Sequence, residues 1–347
     1  WIVMPESSLL DFRMERDLDA VGRYYGALLD EMQSRGWTVP HLFLQLNNEP
    51  NYAHWGPFGD QREAARSYIR IFNGLDARLR ESHPEIRLLG TCIASNTFYT
   101  WSGWRNWTQP FLASGAYVDY YNWHNYGNGF RTTLCWAAMV QAEAERLRGV
   151  RPRAMITETN MALNDRDRRT PRFLWCAEDL LGMCRHPDRF AARHLHMLAS
   201  RPDTPETASS ILSKIDLEND RFERGHLYWC YWALAHLRGR LLWTTGDLHR
   251  DVTALAASPE PGHVTLALLN RSTAVRRVRV NRPGAGTRSA AVCRLTWCGP
   301  DGVHHEERRL PDGESPEVAL PPQSLAALHW KCSPAENVGR ETRRRTG

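Results

Sequence analysis

Short apolar runs and amphipathic stretches alternate along the first two-thirds of the chain. The apolar runs have the length and composition of β-strands and cover 41–47, 86–92, 117–123, 153–157 and 190–198, although the last could also be a helix. Apolar residues with helical spacing predict helices at 18–35, 61–81, 136–148, 172–184 and 225–238. Strands that alternate with helices predict a parallel α/β sheet.

The repeat length of the strand and helix units favours one α/β architecture. Each unit takes roughly 35 to 45 residues, as in a (β/α)8 barrel, also called a TIM barrel. No glycine-rich turn follows a strand, which disfavours a dinucleotide-binding sheet. Five strands are predicted, and residues 1–4 could end another. Because a closed barrel needs eight, we expect one that lacks its first strands in this chain.

The pattern changes after residue 243. Short strand-like runs at 252–257, 263–269, 275–280, 290–297 and 324–330 are separated by turn sequences, with no helical stretch between them. This arrangement predicts an all-β sandwich. We therefore expect a barrel over 1–243, a sandwich over 244–332 and a basic disordered tail over 333–347.

Composition and charge narrow the class of protein. The 347 residues are 42% hydrophobic and 24% charged, which is typical of a globular protein, and no apolar run is long enough to span a membrane. The net charge of +5 comes from scattered arginines, so no nucleic-acid partner is expected. No signal peptide is visible. The eight cysteines have no disulfide or metal pattern, and five are predicted to lie in the core: Cys92, Cys135, Cys176, Cys184 and Cys230.

Two glutamates follow predicted strands, at the barrel positions where chemistry takes place. Glu49 follows the strand at 41–47, and Glu158 follows the strand at 153–157. A glycosidase needs two carboxyl groups, one to protonate the leaving oxygen and one to attack the sugar, about 5 Å apart when configuration is retained. The alternative is that each glutamate caps a helix. Two such residues at corresponding strand ends favour catalysis.

Three strand-end motifs resemble those of the clan A glycoside hydrolases. Asn47-Asn48-Glu49-Pro50-Asn51 looks like the Asn-Glu-Pro motif that ends their fourth strand. The segments 123–127 (Trp-His-Asn-Tyr-Gly) and 156–158 (Ile-Thr-Glu) resemble the ends of their sixth and seventh strands. The resemblance implies a (β/α)8 barrel that hydrolyses β-linked glycosides with retention. Xylosidase-, arabinofuranosidase- and agarase-like families of this clan also append a β-sandwich.

The resemblance also implies roles for individual residues. Glu49 would be the general acid/base and Glu158 the nucleophile, with Tyr126 donating a hydrogen bond to Glu158. Asn48 would bind the 2-hydroxyl of the sugar, and His124 would line the pocket. Aromatic residues follow two of the strands and offer flat faces for sugar rings. The further substrate-binding candidates are Trp123, Tyr52, Trp55, Trp101 and Asn160.

Two other hypotheses remain open. One is a non-catalytic carbohydrate-binding protein on a decayed or truncated barrel. The other is a metal-dependent hydrolase that uses His194 and His196, which alternate on a predicted strand. We expect no metal or organic cofactor, an oligo- or polysaccharide partner, and no membrane insertion. A secreted or periplasmic location follows from the predicted function.

Overall fold

The structure is a computed structural model that describes residues 2–3, 17–37, 43–51, 60–115, 120–160, 172–195, 211–216, 218–219, 221–242, 244, 248–281, 291–299, 302–310 and 316–331. The chain forms two compact units. Unit 1 comprises Trp1–Asp165 and Gly182–His196, and unit 2 comprises Arg166–Leu181 and Met197–Gly347. The helices in the described ranges are all too short or too polar to cross a membrane.

Unit 1 contains a parallel sheet whose strands pair in chain order. The strands are β1 (Ile2–Val3), β2 (Phe43–Gln45), β3 (Arg87–Ile93), β4 (Tyr120–Tyr126), β5 (Arg153–Asn160) and β6 (Phe190–Leu195). Every neighbouring pair is parallel. The carboxyl ends of these strands therefore lie along one edge, which is where residues that follow different strands can meet.

The helices follow the amphipathic pattern of the sequence. They are α1 (Leu18–Ser34), α2 (Gln61–Ser82), α3 (Ser95–Phe98), α4 (Trp101–Gly103), a π-helical turn (Trp104–Thr108), α5 (Gln109–Ala113), α6 (Phe130–Arg148), α7 (Arg172–Cys184) and α8 (His226–Leu234). Asp17 and Asp60 cap α1 and α2, since each side chain accepts a backbone N–H from the first turn. Gly149 ends α6 in the left-handed conformation that glycine adopts without strain.

Aromatic side chains dominate the core of unit 1. Phe98 stacks on Trp123, with ring centroids 4.3 Å apart, and Phe72 meets Phe111 edge to face. These rings are buried together with Tyr25 of α1. Burying such large apolar surfaces is the dominant stabilising contribution in a core of this kind. It fixes the helices against the sheet and so holds the strand ends in place.

The structure confirms the five predicted strands of unit 1 and extends two of them. The prediction ended them at 123 and 157, but β4 continues to Tyr126 and β5 to Asn160. The polar residues at these ends concealed the extended backbone. The aromatic residues between 98 and 107, which follow β3, lie in a mostly helical segment, in which Trp104 and Trp107 pack into the core. The helix α6 begins six residues earlier than predicted.

Unit 2 contains antiparallel sheets around a second core. The larger sheet has the order β14 (Gly302–Leu310), β13 (Ala291–Gly299), β16 (Ser324–Lys331), β11 (His263–Asn270), β10 (Val252–Ser258) and β9 (Arg240–Leu242). Two-stranded sheets pair β12 (Arg276–Arg279) with β15 (Glu317–Leu320), and β7 (Leu212–Asp216) with β8 (Arg221–Arg224). Side chains of the larger sheet and of the β12–β15 pair share one apolar core.

Several sequence expectations for unit 2 change in the structure. Five predicted strands correspond to β10, β11, β12, β13 and β16, whereas β7, β8, β9, β14 and β15 were not predicted. The predicted tail over 333–347 lies outside the described residues. Unit 2 includes residues before 244, so the boundary at 243 stays a prediction. Cys135 and Cys184 are exposed, and their assignment to the core was wrong.

Candidate active site

A β-bulge on each side of β4 shapes the carboxyl-terminal edge of the sheet. Along β3 the register passes from Thr91 to Ile93 opposite consecutive residues of β4, so Cys92 is the extra residue. Along β5 it passes from Ile156 to Glu158, so Thr157 is the extra residue. An extra residue changes the face toward which the following side chains point. The two bulges therefore let β3 and β5 direct additional side chains toward His124 of β4.

Glu49 is held by an unusual turn after β2. Asn47 and Glu49 have φ angles of 62° and 47°, in the left-handed region that residues other than glycine seldom adopt. The Glu49 N–H donates to the carbonyl of Cys92 at 3.1 Å, and the Asn47 side chain accepts the Asn48 N–H at 2.6 Å. Strained conformations of this kind persist only where surrounding contacts hold them, and they cluster at functional sites.

The two predicted carboxylates come together at the sheet edge. One carboxylate oxygen of Glu49 and one of Glu158 lie within 4.8 Å of each other and of a ring nitrogen of His124. Nδ1 of His124 is 2.7 Å from Oε1 of Glu49 and 3.3 Å from Oε2 of Glu158. The Tyr126 hydroxyl donates to that same Oε2 at 2.7 Å. Both carboxylates keep part of their surface exposed, whereas His124 is fully buried.

The protonation of His124 follows from its neighbours. Burial alone lowers the pKa of the ring, because the imidazolium loses its hydration. The nearby Cys92 sulfur and the carboxylates of Glu49 and Glu158 outweigh this loss and raise the pKa of His124 to about 10. At neutral pH the ring therefore carries two protons, and Nδ1–H donates to Glu49. A buried cation thus lies between the two carboxyl groups.

Tyr126 stays a hydrogen-bond donor at any physiological pH. Burial, the negative charge of Glu158 and the hydrogen bond to it all raise the pKa of the phenol, with a smaller contribution from Glu49. A neutral phenol that donates to one oxygen of a carboxylate fixes the orientation of that carboxylate. Glu158 is therefore directed by Tyr126 on one oxygen. This agrees with the donor role expected for Tyr126.

A buried polar network backs the three charged groups, and the sequence did not predict it. Nδ2 of Asn122 donates to Oε1 of Gln45 at 2.9 Å and to Oγ1 of Thr157 at 3.2 Å. Oδ1 of Asn122 accepts the Cys92 N–H at 3.1 Å. Gln45 also donates to Oδ1 of Asn48 at 3.4 Å. The available signal was a run of amides and hydroxyls in otherwise apolar strands, since buried polar groups need partners.

Two predicted substrate contacts lie in the packed interior. Trp123 is fully buried against Phe98, and its indole N–H donates to the Tyr99 hydroxyl at 2.9 Å. Successive side chains of a strand point to opposite faces, so Trp123 faces away from the side on which His124 meets the carboxylates. Asn160 is also fully buried, and its carbonyl accepts the Gly127 N–H at 2.9 Å. These positions correct the expectation that both residues contact substrate.

The tryptophans that follow β3 differ in their exposure to solvent. Trp104 and Trp107 are buried, whereas the ring of Trp101 is 56% exposed and has the Arg105 guanidinium 5.2 Å from its centroid. Trp101 therefore remains the candidate in this segment with a face open to a sugar. The predicted contacts Tyr52 and Trp55 lie outside the described residues. Asn48 is half-buried beside Glu49.

The possibility of a metal site can be tested against the geometry. In the described part of the chain, the group of histidine and acidic side chains close enough to share a cation consists of Glu49, His124 and Glu158. Their ligand atoms are already engaged, because protonated His124 donates to Glu49 and Tyr126 donates to Glu158. His194 is exposed in β6 and is not part of this group, and His196 lies outside the described residues. We assign no metal to the site.

Comparison with known structures identifies the fold as that of the clan A glycoside hydrolases, which confirms the resemblance at the level of the fold. No family model and no curated protein matches the chain. The parallel sheet and the antiparallel sheets are consistent with a partial barrel and a β-sandwich.

Three similar structures illustrate the range of these neighbours. A β-porphyranase of glycoside hydrolase family 86 from the human gut bacterium Bacteroides plebeius has a TM-score of 0.69 and 15% identity; the match covers 91% of this chain and 60% of that one. A monomeric β-xylosidase from Caulobacter crescentus has a TM-score of 0.64 and 15% identity, covering 91% and 75%. A family 86 protein in complex with neoagarooctaose has a TM-score of 0.66 and 14% identity, covering 84% and 50%. The chain thus spans between 50% and 60% of the length of the two family 86 proteins.

Proposed function

We propose that the chain is a retaining glycoside hydrolase that cleaves β-linked bonds of an oligo- or polysaccharide, on a (β/α)8-type barrel followed by a β-sandwich. The observation that carries this proposal is the separation of the Glu49 and Glu158 carboxylate oxygens, which lie within 4.8 Å of each other. Retaining glycosidases hold their two carboxyl groups about 5 to 5.5 Å apart, whereas inverting enzymes need about 6.5 to 9.5 Å to admit water. An approach of two carboxyl oxygens to within 4.8 Å favours double displacement.

In the first step Glu158 attacks the anomeric carbon while Glu49 protonates the departing oxygen. The bond from the anomeric carbon to that oxygen breaks, and a bond to Glu158 forms. Tyr126 engages Oε2 of Glu158, which leaves Oε1 as the attacking atom. Glu49 first takes its proton from Nδ1 of His124, 2.7 Å away, which leaves the ring neutral. In the second step Glu49 removes a proton from water as the water attacks the anomeric carbon, and the bond from that carbon to Glu158 breaks.

The substrate is proposed from the site and the neighbours together. The carboxylates are partly exposed at the strand ends, and Asn48 beside Glu49 is placed to bind the sugar's 2-hydroxyl. Trp101, Tyr52 and Trp55 are the proposed stacking residues. A carbohydrate substrate is supported by the neoagarooctaose bound to a structural neighbour. A polysaccharide substrate would place the protein outside the cell or in the periplasm.

The test compares Glu158→Gln and Glu49→Gln with a surface control, Glu81→Gln on α2. Activity is assayed on aryl β-xylosides, aryl β-galactosides, aryl α-arabinofuranosides and agarose, and proton NMR follows the anomer released first. We expect both site variants to lose at least about 10³-fold in kcat/KM while the control is unchanged. A 2-fluoro glycoside of the accepted sugar should label Glu158, as seen by peptide mass spectrometry.

Two results would contradict the proposal. Release of the inverted anomer would replace double displacement by a single displacement. Binding of oligosaccharides without turnover by wild type and variants alike would instead support a carbohydrate-binding protein. Chelator treatment is a further control, because a metal-dependent hydrolase would lose activity.

A further inference from the structure

Cys92 lies where the contacts of the site converge. It is the extra residue of the β3 bulge, it is fully buried, and its φ angle of 54° is in the left-handed region. A bulge with such a backbone serves to direct a side chain that a regular strand would turn away. The sequence pattern had assigned Cys92 to an apolar core, but its surroundings are polar.

The backbone and side chain of Cys92 bind different parts of the site. Its carbonyl accepts the Glu49 N–H at 3.1 Å. Its Sγ lies 3.3 Å from Nε2 of His124, 3.7 Å from Oδ1 of Asn48 and 3.9 Å from Oγ1 of Thr157. Cys92 thus contacts the backbone of Glu49, the ring of His124 and the side-chain amide of Asn48.

We propose that Cys92 is a positioning residue that sets the protonation of His124, and through it the supply of a proton to Glu49. This inference rests on the proposed function. Cys92 contacts Nε2 of the His124 ring, whereas Nδ1 is the nitrogen that donates to Glu49. It does not touch the substrate in this arrangement, so it is not itself catalytic.

The chemistry of a thiol suits both states of the ring. When His124 is an imidazolium, Nε2–H donates to Sγ and the thiol donates to Oδ1 of Asn48. When Nδ1 has given its proton to Glu49, the ring is neutral and still holds its proton on Nε2. The Nε2–H···Sγ contact therefore persists through the transfer. A residue without a polar atom would leave Nε2–H unpaired in the interior, which is costly for the charged ring.

The groups that face His124 come from every strand around it. Glu49 follows β2, Cys92 belongs to β3, Tyr126 to β4 and Glu158 to β5. The two carboxylates favour the imidazolium through Nδ1, and Cys92 is the partner of Nε2. Removing the Cys92 sulfur therefore destabilises the protonated form of His124, while Glu49 and Glu158 are unchanged.

The experiment compares Cys92→Ala and Cys92→Ser with Cys293→Ala, which removes a buried thiol from β13 of unit 2. In Cys92→Ala we expect kcat to fall about tenfold at alkaline pH, where the less basic ring loses its proton and the wild-type ring keeps it, with KM changed less than about threefold. The alkaline limb of the kcat/KM profile should also move to lower pH by about one unit or more. Cys92→Ser keeps a hydrogen-bond donor and acceptor, but its C–O bond is shorter than C–S. Its kcat and alkaline limb should therefore lie between those of Cys92→Ala and wild type. Cys293→Ala should keep the wild-type profile.

A second readout does not depend on turnover. NMR titration of the chain with ¹³C-labelled histidine gives the His124 resonance, assigned by its disappearance in His124→Gln. The titration midpoint should be lower in Cys92→Ala than in wild type, with serine between them. An unchanged midpoint and an unshifted rate profile in Cys92→Ala would overturn the inference. If wild type hydrolyses no glycoside, the proposed function fails, and the titration still decides whether Cys92 controls His124.

Discussion

The antiparallel sheet of unit 2 and the carboxyl-terminal edge of the parallel sheet in unit 1 differ in the regularity of their strand pairing. In unit 2, β11 pairs with β16 without interruption from His263 opposite Lys331 to Asn270 opposite Ser324. In unit 1, both pairings of β4 shift register where the polar residues cluster. The regular ladder packs aliphatic side chains. The shifted ladders instead bury amide side chains and the Cys92 thiol, and they place the His124 ring between the carboxyl groups of Glu49 and Glu158.

The difference separates what stabilises a sheet from what makes a site. A regular ladder gains its stability from apolar burial, which hardly depends on pH. The sheet edge of unit 1 relies on charges and hydrogen bonds that must all be satisfied at once. The consequences for stability can be measured, and they should differ in size and in their dependence on pH.

The largest expected effect is the pH-dependent loss of stability in His124→Gln. The pKa of His124 rises from 6.5 to about 10 in the folded chain, which corresponds to at most about 5 kcal/mol. Because the folded pKa is the higher one, this stabilisation is fully present below about pH 6.5 and disappears as the pH rises through about 10. Urea unfolding at several pH values measures the gap in free energy of unfolding between wild type and variant. The substitution His249→Gln, at an exposed histidine, is the control. A gap that does not change with pH would contradict this account.

An intermediate effect is expected for Leu328→Ala in β16. This side chain is fully buried in the core of unit 2, so its truncation should cost about 2 to 5 kcal/mol. The loss should be the same at pH 6 and pH 9, since none of it comes from a charge. The exposed Lys331→Ala in the same strand should change stability by less than about 0.5 kcal/mol. A strongly pH-dependent loss in Leu328→Ala would remove the contrast between the two regions.

The smallest effect on stability is expected for Trp101→Ala. Its ring is 56% exposed, so the free energy of unfolding should change by less than about 0.5 kcal/mol. The buried Trp107→Ala should instead cost about 3 to 5 kcal/mol. If Trp101 stacks on sugar, its loss should raise KM for oligosaccharides about two- to tenfold without changing kcat. An unchanged KM across chain lengths would exclude Trp101 from the substrate cleft.

The sequence predicted those parts of the fold in which a simple period holds. Strand β11 was expected at 263–269 and spans His263–Asn270, because its apolar residues continue to the end of the strand. Strand β14 was missed, because it lies at the edge of the sheet and carries His304, Glu306 and Arg308. Edge strands commonly hold charged residues, which prevent unwanted pairing and also hide the strand from pattern analysis.

The candidate site was predicted in part for a related reason. The Glu49 and Glu158 pair could be found, because carboxylates after apolar strands stand out, and the resemblance supplied Tyr126. Cys92 was correctly predicted to be buried, but its polar neighbours were not predicted, and Trp123 was expected to contact substrate. The surroundings of both residues depend on which face of a strand each one occupies. A bulge changes that face by the insertion of one residue, and no local pattern in the sequence marks the insertion.

The bulge at Thr157 also has a genetic consequence. Strand β5 uses 8 residues to match the 7 of β4, with the two strands aligned from Tyr120 opposite Arg153 to Tyr126 opposite Asn160. Deleting the codon for Thr157 would give the strands equal length and turn Glu158 to the opposite face. A lineage would thus lose the proposed nucleophile through one in-frame deletion while every glutamate codon stayed intact. Relatives of this chain should therefore be compared by strand register as well as by residue identity.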